Sequence, residues 1–179
     1  MSKLSEHDNT ILNCIFNPHL PPEDNISYPP EKLEDKEDST SEVEESKKLE
    51  IQAIQLAENG KLTEALNLIN KAIQITPYRP SLFNNRANIY QYLRKFEDAL
   101  NDATKAINLS TDKYKRTLCL AYCQRGILHR KAENMEMARE DFENAAKMGN
   151  DFAKKQLIEL NPYAALCNQM LRQVMGTWN

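Results

Sequence analysis

A reactive centre in this chain would have to draw on four cysteines, three histidines and four glycines, and their spacing supplies none. Cys119 and Cys123 share one helical face, but Cys14 and Cys167 are distant in sequence and no C-x-x-C pair completes a zinc site. The bland reading of Cys119 and Cys123 is buried structural cysteine. His7 and His19 lie near the start, and His129 falls at a position that suits packing. The glycines stand singly, so no phosphate-cradling loop is available, and neither G-x-S-x-G nor H-E-x-x-H occurs. Carboxylates are plentiful at helical spacings that suit solvated ion pairs. No catalysis, cofactor or metal is expected. A pI of about 5.7, without a basic stripe carrying stacking aromatics, argues against nucleic acid. What remains is recognition. Asn84, Asn85 and Asn88 crowd one stretch, and asparagine amides can satisfy the backbone polar groups of a bound peptide.

Those asparagines must be positioned by helices. Phe83–Leu109 reads as two helices folded back on each other. Phe83, Ala87 and Tyr90 mark the inner side of the first helix. Ala99, Ala103 and Ala106, at i, i+4 and i+7, mark one face of the second. A face made of alanines is too small to be a core, so it must receive a neighbouring helix. Stepping back 34 residues from Ala99 lands on Ala65. Ala65 and Ala72 then match Ala99 and Ala106, while Leu49, Ala53 and Leu56 match Phe83, Ala87 and Tyr90. Stepping forward needs five further residues and lands on Ala138. There Tyr122, Gly126 and His129 fill the first-helix positions, and Ala138, Phe142 and Ala145 the second. Three copies in near-register make a repeat array in which each pair buries its apolar side on its neighbours.

This pattern resembles the tetratricopeptide repeat family, with repeats at 46–79, 80–113 and 119–152. The resemblance implies an all-α fold: a right-handed superhelix of three helix pairs, closed by C-terminal capping helices in 153–179. It also implies a concave groove lined by the first helix of each repeat. That groove would show Ile51 and Ile54 with Lys47 and Glu50 from repeat 1. Repeat 2 would add Asn84, Asn85, Asn88 and Tyr92 with Ser81. Repeat 3 would add Leu120, Gln124, Ile127 and Lys131 with Cys123. Some three-repeat members hold the acidic tail of heat-shock chaperones in a carboxylate clamp. Of its five positions only the second-repeat asparagine is present, as Asn85. The others read Glu50, Ile54, Leu120 and Gln124, and Glu50 would repel a carboxylate. The flanking ILNCIFNP and LNPYAALCNQML resemble a small heat-shock-chaperone-binding member of the family. The expected function is a non-catalytic adaptor in the cytoplasm, with access to the nucleus, that binds a protein partner such as a chaperone without an intact clamp. The alternative is a scaffold or stabiliser of a metabolic enzyme or of a ciliary or cytoskeletal protein, independent of chaperones.

The flanks carry their own expectations. Ile11, Leu12, Ile15 and Phe16 form an amphipathic stripe in the tail 1–19. Segment 20–45 clusters prolines, and from Glu23 to Glu45 it holds ten acidic residues against Lys32 and Lys36. The whole chain carries only −3, so this stretch is expected to be a disordered linker. Ser41 with Glu44 suggests a capping box for the first repeat helix. The insertion near Tyr114–Leu118 should lengthen the first helix of repeat 3 by more than a turn. Near the end, Ala165, Leu166, Met170, Leu171, Val174 and Met175 form another apolar stripe. Either terminal stripe could cover the groove, or a partner could. No run approaches the roughly 20 apolar residues of a membrane span.

Overall fold

The computed structural model describes residues 33–161, so the terminal stripes and Cys14, Cys167, His7 and His19 lie outside the described residues. Seven helices follow in order: α1 Ser41–Glu58, α2 Leu62–Ile75, α3 Pro80–Tyr92, α4 Phe96–Leu109, α5 Lys115–Lys131, α6 Met135–Lys147 and α7 Asp151–Glu159. The first six pack as the antiparallel pairs α1–α2, α3–α4 and α5–α6. α2 meets α3, α4 meets α5, and the first helices α1, α3 and α5 adjoin directly. α7 packs on α6 as the cap, with Phe152 edge-to-face on Phe142 at 6.2 Å. Among the described residues no helix is long and apolar enough to cross a membrane.

Each boundary has a local cause. α2 stops before Pro77, which lacks the N–H to continue a helix, and Pro80 opens α3 at its first turn. Between the helices of each pair, one residue turns left-handed at the same repeat position: Gly60 (φ 77°), Arg94 (φ 59°) and Glu133 (φ 60°). Gly149 (φ 90°) ends α6, and Asn150 caps α7 by accepting from Ala153 N at 3.0 Å. The cap of α1 differs from the expected Ser41–Glu44 box. Thr40 is the capping residue and accepts from Val43 N at 3.3 Å. α5 begins seven residues before Tyr122 where α3 begins three before Phe83, so it is longer by about one turn. The rest of the insertion forms a turn at Thr111–Tyr114.

The alanine faces are closed completely. Ala53, Ala65, Ala72, Ala87, Ala99, Ala106, Ala138 and Ala145 are all fully buried. Ala53 shares a core cluster with Ile69 and Ala87 one with Ala103, while Gly126 lies under Phe142. A Cβ on Gly126 would come within 2.9 Å of the Phe142 ring. That close approach is why repeat 3 has glycine where the others have alanine.

Residues 33–40 depart from the linker expectation. They run extended along the domain, forming an antiparallel bridge between Asp35 and Tyr114 and a Lys36 N–H bond to Lys113 O at 2.7 Å. Composition counts the charges of this strap as solvated. In the fold several of them have partners, and those partners offset the cost of ordering it.

Candidate peptide-binding site

Two features meet on the first-helix side of the stack. One is a cleft of about 390 Å³ between α1 and α3. Its floor is Ala53, Ala57, Ile69 and Ile89, and its walls are Ile54, Glu58, Asn85, Asn88 and Tyr92. Tyr92 is 71% exposed and Ile51, on the adjoining turn of α1, is 55% exposed. Leu120 on α5 is exposed as well. Such an apolar floor with a few amides on its rim suits a side chain or short segment of a polypeptide.

The structure splits the residues expected to line the groove. Ile54, Asn85, Asn88 and Tyr92 come together in the cleft. Asn84 and Gln124 are buried between repeats 2 and 3. With its amide oriented to suit the network, Gln124 donates to Asn84 Oδ1 at 3.1 Å and accepts from Asn88 N at 2.8 Å. These two amides join repeats and are not offered to a ligand, because each already has a partner in the neighbouring repeat. Ile127 is half-buried against the repeat-3 core, and Lys131 lies over the Phe96 ring at 5.4 Å.

The second feature is a buried polar network at the clamp position. Glu50 is 8% exposed and both its oxygens are engaged. Oε1 accepts from Asn85 Nδ2 at 2.7 Å and Oε2 from Arg79 Nη2 at 2.7 Å. Arg79 also donates from Nη1 to Ser46 Oγ at 3.0 Å, and from Nε and Nη2 to the two oxygens of Glu37 at 2.9 and 3.2 Å. Thr76 Oγ1 completes the network with a 2.6 Å bond to Ser46 Oγ. Burial works against the charge on Arg79. The hydrogen bonds and fields of Glu37 and Glu50 outweigh it and hold the guanidinium above the ordinary arginine value. Asn85, the one clamp residue carried by the sequence, is thus spent on Glu50.

Sequence reasoning missed the ion pairs that hold the repeats. Arg86 grips Asp102 through Nε and Nη2 at 2.6 and 2.7 Å and reaches Asn70 in the preceding repeat at 2.8 Å. Arg125 grips Asp141 in the same bidentate way at 2.9 and 2.7 Å. Asp102 and Asp141 are buried, unlike the solvated carboxylates expected. A signal existed: Arg86 and Arg125, like Asp102 and Asp141, repeat in the register of Ala99 and Ala138. Arg79 carried no such signal, since its carboxylate partners lie 42 and 29 residues away. Cys119 and Cys123 are buried on α5, and donating its S–H to Cys119, together with burial, pushes the Cys123 thiol upward. Among the described residues no cluster of histidine, cysteine or carboxylate could hold a metal.

Comparison with known proteins agrees with this architecture. The family model "Tetratricopeptide repeat" matches residues 80–113. The first tetratricopeptide domain of Spaghetti (RPAP3), solved with the HSP90 peptide SRMEEVD, superposes with a TM-score of 0.60 at 27% identity, covering 69% of this chain and 95% of that one. The N-terminal domain of stress-induced protein-1 from C. elegans gives 0.61 at 18% identity, covering 68% and 98%, a likeness of fold alone. The fold is the right-handed superhelix of these domains. Across nearly the whole chain, the tetratricopeptide repeat protein 36 homolog of Drosophila melanogaster is 46% identical over 173 residues, 95% of this chain and 93% of the relative. Tetratricopeptide repeat protein 36 of Homo sapiens is 40% identical over 177 residues, again 95% and 93%. Identity of that order beyond the repeats, through both flanks, means that the chain belongs to the tetratricopeptide repeat protein 36 family.

Proposed function

We propose that this chain is a non-catalytic cytoplasmic adaptor, with access to the nucleus, that associates with a heat-shock chaperone without gripping the chaperone's acidic tail in a carboxylate clamp. Its partner is protein; neither nucleic acid nor membrane is part of the reading. Likeness to domains that hold HSP90 and HSP70 peptides supports the chaperone class. The observation that carries the clamp-free reading is Glu50. It stands where the clamp needs a cation, and its carboxylate is already bonded to Arg79 and Asn85. A second carboxylate brought to Asn85 would find its amide already donating to Glu50, with the neighbouring guanidinium of Arg79 taken up by Glu50 and Glu37. The cleft beside it offers apolar contact through Ile54, Ile89 and Tyr92, so affinity would come from desolvating an apolar element of a folded chaperone domain.

Calorimetric titration of the peptide SRMEEVD into the purified protein tests this. The expected result is binding weaker than about 1 mM, with no change on Asn85→Ala. Micromolar binding that Asn85→Ala abolishes would overturn the reading.

A further inference from the structure

The strap has the form of a bound ligand. Its side chains alternate strictly: Leu33, Asp35 and Glu37 are half-buried, while Glu34, Lys36 and Asp38 are exposed. Leu33 packs against the repeat-3 core beside Met148. Asp35 accepts from Thr117 N at 3.1 Å and from Thr117 Oγ1 at 2.5 Å, at the first turn of α5. Glu37 takes both Nε and Nη2 of Arg79, immediately before α3, and meets Lys47 Nζ of α1 at 3.2 Å. The main chain adds the Lys36–Lys113 bond. The strap thus crosses the N-terminal ends of all three first helices and places carboxylates where helix dipoles favour them.

The receiving groups do not depend on the strap for their placement. Arg79 is held by Glu50 and Ser46. The Thr117 N–H points out of the first turn of α5, where no intrahelical acceptor exists. Lys113 O lies in the turn that precedes that helix. A built row of donors, one acceptor and an apolar seat at two-residue spacing is what reads an extended peptide by strand addition.

We propose that this edge is a binding site for an extended acidic segment of the pattern apolar–x–Asp–x–Glu, occupied in cis by residues 33–37 and open to the same chemistry from another polypeptide when the strap is displaced. The strap continues directly into α1 through Thr40, so its effective concentration is high and an intermolecular ligand must compete with it. The site uses other residues than the cleft and does not rest on the chaperone reading.

The test uses the full chain and, as probe, a fluorescein-labelled peptide of residues 31–40, EKLEDKEDST. Wild type, with its strap in place, should bind the probe weakly. The Asp35→Asn/Glu37→Gln variant should bind it at least tenfold more tightly, and adding Lys47→Ala and Thr117→Val should remove that gain. Amide exchange at Thr117 gives a second readout on the folded protein: faster in the double variant, slowed again by saturating probe. Unchanged exchange at Thr117 in the double variant, or no gain in probe affinity with the fold intact by circular dichroism, would overturn the proposal. Equal gain for a scrambled peptide would overturn it too.

Discussion

A guanidinium held between two carboxylates in a buried site is costly to remove. The Arg79 side chain is 3% exposed, and its loss would leave Glu37 and Glu50 facing each other with only Lys47 and Asn85 as partners. Arg79→Met should therefore destabilise the protein by about 3–5 kcal/mol, read as a lowered urea midpoint. A loss below about 1 kcal/mol would mean that the network is solvated and contributes little. His129 adds a pH dependence. It is buried against Asp141, with Nε2 at 3.9 Å from Oδ2, and Arg125 is the neighbouring cation. Burial lowers its pKa, Asp141 opposes that, and Arg125 adds to it, so the folded value lies below the ordinary 6.5. The unfolded chain then binds the proton first as pH falls. Stability from this residue is full above about 6.5 and declines as pH falls below it. Denaturant titrations between pH 5 and 7 should show a shallower decline for His129→Gln than for wild type. Parallel curves would contradict the assignment. At this scale the sequence was a partial guide. Asn85 was legible as a clamp remnant because its type and position match a motif. Its engagement by Glu50 was not, because the bond spans 35 residues and depends on Arg79 entering from a loop.

The helix pairs were more legible than the residues between them, because small residues at i, i+4 and i+7 leave one way to pack. The turns refine that picture. Gly60, Arg94 and Glu133 occupy one repeat position and all are left-handed, but only the first is a glycine. An L side chain there costs about 1–2 kcal/mol of backbone strain. Arg94→Gly should then raise the melting temperature by several degrees. Gly60→Ala should lower it, although a methyl group at Gly60 would meet open space. Opposite signs at equivalent positions would mark the effect as backbone conformation. Equal signs would sink it. The strap shows why an element can hide from composition. A run with net charge −8 between Glu23 and Glu45 reads as solvated when charges are summed. Read with a period of two, Leu33, Asp35 and Glu37 form a one-sided strand. Its meaning appears only once the first turns of three helices are brought to one edge.

For the whole molecule, the stack presents an apolar cleft beside a carboxylate that is neutralised from within. Under the clamp-free proposal, that combination is what would set this chain apart from the tail-binding members of the repeat family. The superhelix, its repeat number and its cap follow from local patterns repeated along the chain. The partner surface does not, because it depends on which first-helix side chains are used up joining repeats. Asn84 and Gln124 are spent in that way, and Gln124 also donates to Asn88 Oδ1 at 3.2 Å, whereas Ile54 and Tyr92 line the cleft. The account stands most directly on one comparison: capture of full-length HSP70 or HSP90 by the purified protein, against the same chaperone lacking its acidic C-terminal tail. Equal capture of both, reduced when Ile54 and Tyr92 are changed to alanine, is the predicted result. Capture that disappears with the tail would contradict it.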